Sequence, residues 1–327
     1  MKTIKTVKTT RIVRSVCALI VAASLAAGFT SCIDNEDESD NEIFYSVYNS
    51  DGTLGSAGMS SDEWGTIIRE RLSNGCTIVL SSDMTADDLA TFILALKIYK
   101  LSDVTLDMSK MTITSIASST FSGCTAIRSV IIGGSITTIG ERAFRACTSL
   151  TSVTISDTVT SIGSYAFDNC TALTSVTIPD SVTSIGSYAF DNCTALTEVT
   201  IPDSVLSLGE YAFFACTALI KVTIPDSVLS LGKSAFDDCT ALVVVVIGDG
   251  LATIPSSAFY DCSALTTVTI GSGVTSIESS AFSGCSSLAT VYYNGTTDEW
   301  SSITISSTNN SYLTSAKINC TDGTYSE

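Results

Sequence analysis

The sequence predicts an α/β solenoid, a stack of 23-residue coils with a small α/β cap at its N-terminal end. Two observations lead there. Phenylalanine recurs eight times at a 23-residue offset, from Phe121 to Phe282, and a cysteine follows each by three residues, from Cys124 to Cys285. A fixed period of this length marks a stacked repeat. Within each period the apolar positions alternate like a strand and then change spacing, so one unit combines a strand with turns.

The leader comes first. Lys2, Lys5, Lys8, Arg11 and Arg14 form a basic segment, and Val16–Phe29 is an apolar run of 14 residues, too short to span a bilayer comfortably. Residues 1–31 are thus expected to be a cleaved signal. The following "FTSC" ends at Cys32 and resembles a loose bacterial lipobox, with Phe29 where leucine is usual. Lipidation of Cys32 is the expectation, and an ordinary secretory cleavage nearby is the alternative. Residues 32–42 carry six carboxylates within Ile33–Glu42 and read as an extended, self-repelling acidic tether. An acidic run beside a lipidated cysteine resembles a surface-export signal, which implies an outer-membrane lipoprotein exposed at the cell surface.

Residues 43–100 are expected to form the N-terminal α/β cap that a terminal repeat needs. "IFYSVY" and "CTIVL" read as strands. Ser60 and Glu63 have capping-box spacing, with Gly75 as a stop. Thr85 and Asp88 open a second helix that places Leu89, Phe92, Ile93 and Leu96 on one face.

The repeats occupy residues 101–293, in nine units with the last one open-ended. One unit, from Leu173, reads "LTSVTIPDSVTSIGSYAFDNCTA". Leu173, Val176 and Ile178 face inward from a strand, and Ser175 and Thr177 face out. Pro179 and Asp180 end the strand. Val182 and Ile185 make a second inward run, and "SYAFDNC" is expected to curl into a helical or 3₁₀ turn that buries Ala189, Phe190 and Cys193. Such a unit cannot bury its apolar side alone. Residues 294–327, with Trp300, are expected to close the far end.

The pattern L-x-x-V-x-I followed by P-x-S-V-x-x-I-G-x-x-A-F-x-x-C resembles the BspA-type leucine-rich repeat of bacterial and protist surface proteins. The resemblance implies a right-handed leucine-rich-repeat superhelix with its parallel β-sheet on the concave face. It also implies an adhesin-like role toward an extracellular protein or glycoprotein. The sequence departs from the commonest leucine-rich repeats, whose strands are followed by an asparagine ladder. Here that place holds Ser135, Thr158, Ser181, Ser204 and Ser227, then Gly250 and Gly273.

Composition narrows the chemistry. The chain has no histidine, which removes Ser-His-Asp and Cys-His nucleophiles and His-ligated zinc. Loss of the five leader cations leaves 11 basic against 33 acidic residues, a net charge of −22 that disfavours nucleic acid. No catalytic constellation, no cofactor site and no nucleic-acid partner is expected, and the chain is expected to be a monomer held to the membrane through Cys32. The ladder of Phe144, Phe167, Phe190, Phe213 and Phe236 with Cys147, Cys170, Cys193, Cys216 and Cys239 reads as stacked core. Disulfides between coils are an alternative that parallel side chains disfavour. Asp157, Asp180, Asp203, Asp226 and Asp249 form a row after the strands, read as turn residues, with a calcium site as the alternative. The outward strand face is mostly serine and threonine, as suits an exposed strand. Arg128, Glu198, Ile220, Lys221, Val243, Val244, Val246 and Tyr292 depart from that carpet and form the candidate binding face. Tyr165, Tyr188, Tyr211, Phe214 and Tyr260 form an aromatic row on the opposite side. Against the adhesin-like reading stands a structural spacer without a specific ligand.

Overall fold

The computed structural model describes residues 45–48, 77–80, 82, 89, 93, 96 and 102–325. The leader, Cys32 and the acidic tether lie outside the described residues, as do Ser60, Glu63, Gly75, Thr85, Asp88 and Phe92 of the expected cap helices. The described residues divide into two compact units. One is drawn from Met1–Ile113 and Ala126–Gly133, the other from Thr114–Thr125 and Gly134–Glu327.

In the first unit, strand Tyr45–Tyr48 runs antiparallel to Thr77–Leu80, with Tyr45 opposite Leu80. Thr77–Leu80 pairs in parallel with Val104–Asp107, which pairs in parallel with Ile127–Ile131 after a one-residue register shift at Val104/Thr105. The alternation of "TIVL" buries Ile78 and Leu80. Leu89, Ile93 and Leu96 are helical and buried, at the spacing of one helical face.

The second unit is a β-solenoid. Each coil contributes a short strand to one parallel sheet, from Ser152–Thr154 through Ser175–Thr177, Glu198–Thr200, Lys221–Ile224, Val244–Ile247 and Thr267–Ile270 to Thr290–Tyr293. The 23-residue offset fixes the register, so Val176 pairs with Val153 and Val199, and every central residue points inward. A slip by one residue would turn each buried valine to solvent. Two-residue strands form a side sheet, from Ser115–Ile116 through Thr138–Ile139, Ser161–Ile162, Ser184–Ile185 and Ser207–Leu208 to Ser230–Leu231. The next three, Thr253–Ile254, Ser276–Ile277 and Thr304–Ile305, form a separate sheet.

The break has a local cause. Gly186, Gly209 and Gly232 each donate their N–H to a carbonyl one coil earlier at 2.8 Å. The same position 23 residues after Gly232 is Pro255, which has no N–H to give. These glycines are also sterically required. A Cβ on Gly232 would stand 2.2 Å from the Glu210 nitrogen of the preceding coil.

The expected helical or 3₁₀ turn at "SYAFDNC" is corrected by the structure. This segment is a hydrogen-bonded turn without helix, and two residues in each copy are left-handed. Tyr165, Tyr188 and Tyr211 have φ of 55–58°, and Asn169, Asn192 and Ala215 have φ of 52–58°. The reason lies in the amides. In the Phe190 coil, Ala189, Asp191 and Cys193 donate three residues back within the coil, at 3.2–3.3 Å. Tyr188, Phe190 and Asn192 donate instead to Glu210, Ala212 and Phe214 of the next coil, at 2.8–2.9 Å. A continuous helix would direct all six amides within the coil. The alternating arrangement stitches coils together on the side away from the main sheet. A non-glycine residue in this conformation costs roughly 1–2 kcal/mol, which the extra inter-coil bonds offset.

Inside, the predicted columns close-pack. Phe121 to Phe282 are all fully buried. Successive rings stack with centroids 4.8–5.6 Å apart and planes within 18°. Each repeat cysteine from Cys124 to Cys285 is a buried thiol outside any disulfide. From Cys147 onward, Sγ donates to the carbonyl of the phenylalanine 26 residues earlier, at 3.1–3.3 Å. Where other repeats use asparagine, hydroxyls take over. Thr158, Ser181, Ser204 and Ser227 donate to Ile136, Val159, Val182 and Val205 carbonyls at 2.6–2.9 Å. At Gly250 the backbones come closer still, since a Cβ there would lie 1.9 Å from the Asp226 oxygen.

The C-terminal end is closed by non-repeating structure. Helix Thr297–Ser301 starts with a capping box between Thr296 and Glu299, and Asp322 accepts from the Thr297 N–H and hydroxyl at 2.8 and 3.0 Å. Trp300 is buried edge-on against Tyr293. Strand Lys317–Cys320 extends the main sheet and turns back into Gly323–Thr324, which pairs with it antiparallel. Asn310, 2% exposed, completes the turn ladder. Its Oδ1 accepts the Phe282 N–H at 3.2 Å, and its Nδ2 donates to the Glu278 and Ser306 carbonyls at 2.8 and 2.9 Å.

Candidate binding face

The main sheet presents one side to the core and one to solvent, so its outward residues form a grid. Rows follow the strands and columns follow the 23-residue register. Outward columns within a strand lie two residues apart, and neighbouring strands lie about 4.8 Å apart. Threonine fills most of it, and several of its hydroxyls donate to the carbonyl of the preceding coil, as from Thr174 to Thr151 and from Thr197 to Thr174, both 3.3 Å. The carpet is thus itself part of the inter-coil bonding.

Six of the eight candidate residues come together on this grid. Glu198 stands directly opposite Lys221, and Lys221 opposite Val244. Val243 donates its N–H to the Ile220 carbonyl at 2.8 Å, which places those two side by side in the column that holds Thr174, Thr197 and Thr266 in other coils. Val246 sits between Thr223 and Thr269. Ile220 is 53% exposed and Val243, Val244 and Val246 are half-buried. Tyr292, 49% exposed, is separated from Val246 by Thr269. Arg128 belongs to the first unit, where it pairs with exposed Asp103 at 3.6 Å.

The turn side carries the aromatic row. Tyr165, Tyr188 and Tyr211 stack face to face at 4.6–4.7 Å, with Arg142 over the outer face of Tyr165 at 4.9 Å and Lys233 near Tyr211 at 5.8 Å. Phe214 meets Tyr211 edge-on. The faces of these three tyrosines are therefore occupied by each other and by cations, which leaves their edges for contact. Beside this row, Arg145 Nε donates to the nearly buried Asp168 carboxylate at 2.7 Å, and Asn169 donates to its other oxygen. Burial, and then the Asp168 charge, push the Asp191 carboxyl up to about 6. Asp237 is likewise pushed to about 6, chiefly by burial and then by Asp238 and Asp261.

The cysteines have the opposite of reactive surroundings. Burial pushes the thiols of Cys170, Cys193, Cys216, Cys239 and Cys262 well above their ordinary value, and that of Cys285 up to about 12. Asp157, Asp180, Asp203, Asp226 and Asp249 each stand on the turn that follows a strand. Among the described residues, no three Cys, Asp or Glu side chains converge to hold a metal. Two of the row's carboxylates accept from the backbone of the next coil. Asp226 accepts the Asp249 N–H at 2.8 Å, and Asp249 accepts the Ser272 N–H at 2.7 Å. A shallow cavity of about 320 Å³ opens beside the C-terminal helix, lined in part by Tyr293, Asp298 and Glu299. Glu299 is committed to the helix cap there.

One surface feature is absent from the candidate face. Leu206 and Leu229 are 50% and 66% exposed at the start of side-sheet strands. The sequence signal is present: the same column reads Thr137, Thr160 and Thr183 in the preceding coils.

A parallel, in-register stack with one strand, one shorter strand and one bonded turn every 23 residues defines a repeat protein of the leucine-rich-repeat class. The family model for the BspA type leucine rich repeat region matches residues 97–220 and 206–323, in 6 copies, and the chain belongs to that family. Among solved structures, a leucine rich cell surface protein from Faecalibacterium prausnitzii is 25% identical, over 62% of this chain and 82% of that one, with a TM-score of 0.39. A leucine rich repeat protein of T. pallidum is 22% identical, over 71% and 86%, with a TM-score of 0.43. One from Bacteroides ovatus is 22% identical, over 59% and 69%, with a TM-score of 0.38. No curated protein sequence matches the chain.

Proposed function

We propose that this chain is a non-catalytic, adhesin-like binding module, displayed on the bacterial surface as a lipoprotein anchored through Cys32. Its partner is an extracellular protein or glycoprotein, engaged by the outward face of the main sheet. The observation that carries the reading is the contiguous set of Ile220, Val243, Val244 and Val246 on a grid filled mostly by serine and threonine. An exposed apolar cluster rimmed by polar residues is the usual mark of a contact surface. Glu198 and Lys221 beside it supply charge for orientation. The family membership and the leader support the location. No helix among the described residues is long and apolar enough to cross a membrane, so the lipid on Cys32 is the proposed anchor.

The test is binding of the purified full chain to immobilised extracellular-matrix proteins and glycoproteins, beside the Lys221→Glu/Val244→Glu variant. Binding that this variant loses, with unchanged circular dichroism, is the expected result. Binding unchanged by the substitution would remove the sheet face from the reading, and retention of nothing would favour a spacer.

A further inference from the structure

We propose a second docking surface, on the corner between the main sheet and the side sheet, for a cationic amphipathic segment of a partner protein. Each coil makes this corner with a β-turn. Val205 donates its N–H to Pro202 and Val228 to Pro225, at 3.0 and 3.1 Å, so Asp203 and Asp226 stand on the turns and Leu206 and Leu229 follow directly. The 23-residue offset turns this into two parallel rows. Asp180, Asp203, Asp226 and Asp249 form an exposed acidic row. Thr183, Leu206, Leu229 and Ala252, each three residues further on, form an exposed row whose last three members are apolar.

Three features distinguish these rows from a chance exposure. Leu229 donates its N–H to Leu206 at 2.9 Å and Leu206 to Thr183 at 2.9 Å, so the leucines are adjacent and their backbone is fixed. A prepositioned pair costs less ordering on binding than a mobile one. The three coils before Leu206 place threonine there, so the repeat does not require leucine. The charge is one-sided. The acidic row flanks the leucines on one side, and on the other Glu210 is paired with Lys233 at 3.5 Å. Across residues 102–325 there are 7 Lys and Arg against 19 Asp and Glu. Charge complementarity therefore selects an occupant with apolar side chains along one stripe and Lys or Arg along one border of it.

The probe is a synthetic amphipathic peptide with a leucine stripe bordered by lysines, compared with the same peptide bearing glutamates. Fluorescence anisotropy with the full chain is expected to show binding of the lysine peptide alone, weakening as salt rises. Leu206→Thr/Leu229→Thr installs the residue of the preceding coils and is expected to weaken binding about tenfold or more. Asp203→Asn/Asp226→Asn removes charge and keeps an oxygen for the Asp249 N–H. It is expected to weaken binding similarly, while Val244→Glu leaves it unchanged. Failure of the lysine peptide to bind, or binding that survives either double substitution, overturns the proposal. Self-association of the chain that Leu206→Thr/Leu229→Thr abolishes, without peptide binding, overturns it in favour of a second copy. Val244→Glu separates this surface from the sheet face, so either can fail alone.

Discussion

At the residue scale, the thiols and the left-handed turn residues show how the repeat assigns one task per position. Cysteine fits its column because it is small, is apolar enough to bury, and offers a weak donor to the phenylalanine carbonyl below it. Its thiolate is suppressed by burial. Alkylation of the native chain followed by mass spectrometry should therefore label partly exposed Cys320 well before any of the eight repeat cysteines. Denaturant should abolish the difference. The left-handed positions give a second prediction. Ala215, at φ 52°, occupies the column that holds Gly123 and Gly284 at the two ends of the stack. Ala215→Gly relieves the Cβ clash and should stabilise the fold by about 1 kcal/mol in urea unfolding, net of glycine's added chain entropy. The phenylalanine and cysteine columns were legible from spacing alone. The backbone of the turn was not, because Tyr188 carries no left-handed signature; the hint lay in the other column, which holds Asn169, Asn192, Asp238 and Asp261 beside Gly123 and Gly284.

At the element scale, strands were legible where alternation was strict, as in "SVTI" over Ser175–Ile178, because a half-buried strand forces a period of two. The interruption of the side sheet was written at Pro255. It becomes readable only once the structure shows that the residue in that column must donate between coils. The C-terminal cap obeys no period, so its central device was invisible in the sequence. Asn310 replaces with one side chain what the next coil would have supplied with its backbone. Asn310→Ala would leave the Phe282 N–H and two carbonyls without these partners in a buried site. It should destabilise the chain by about 2–3 kcal/mol in denaturant unfolding. Hydrogen exchange should quicken first at the amides of the Phe282 turn.

At the scale of the whole molecule, partly buried acids on the turn side give the stack a pH dependence. Asp191 and Asp237 titrate near 6 in the fold, above the 3.8 of an ordinary aspartate. The native chain thus holds protons that the unfolded chain has released. The stabilisation these two groups give is fully present below about pH 4 and is lost as pH rises through about 6. Thermal unfolding should accordingly show a higher Tm at about pH 5 than at about pH 7.5. Asp191→Asn/Asp237→Asn should flatten that difference. The candidate face was readable because its valines break a threonine pattern. Leu206 and Leu229 break another, but their exposure follows from the turn that precedes them, and the apolar count of the sequence does not reveal it.

The stretch Ser161–Thr174 is repeated letter for letter at Ser184–Thr197, and the two copies hold equivalent places in adjacent coils. Excising one 23-residue period between them therefore creates no new junction. Every column closes over the gap with its own kind. Removing one coil would shorten the stack by one strand spacing, about 4.8 Å, and leave every column in register.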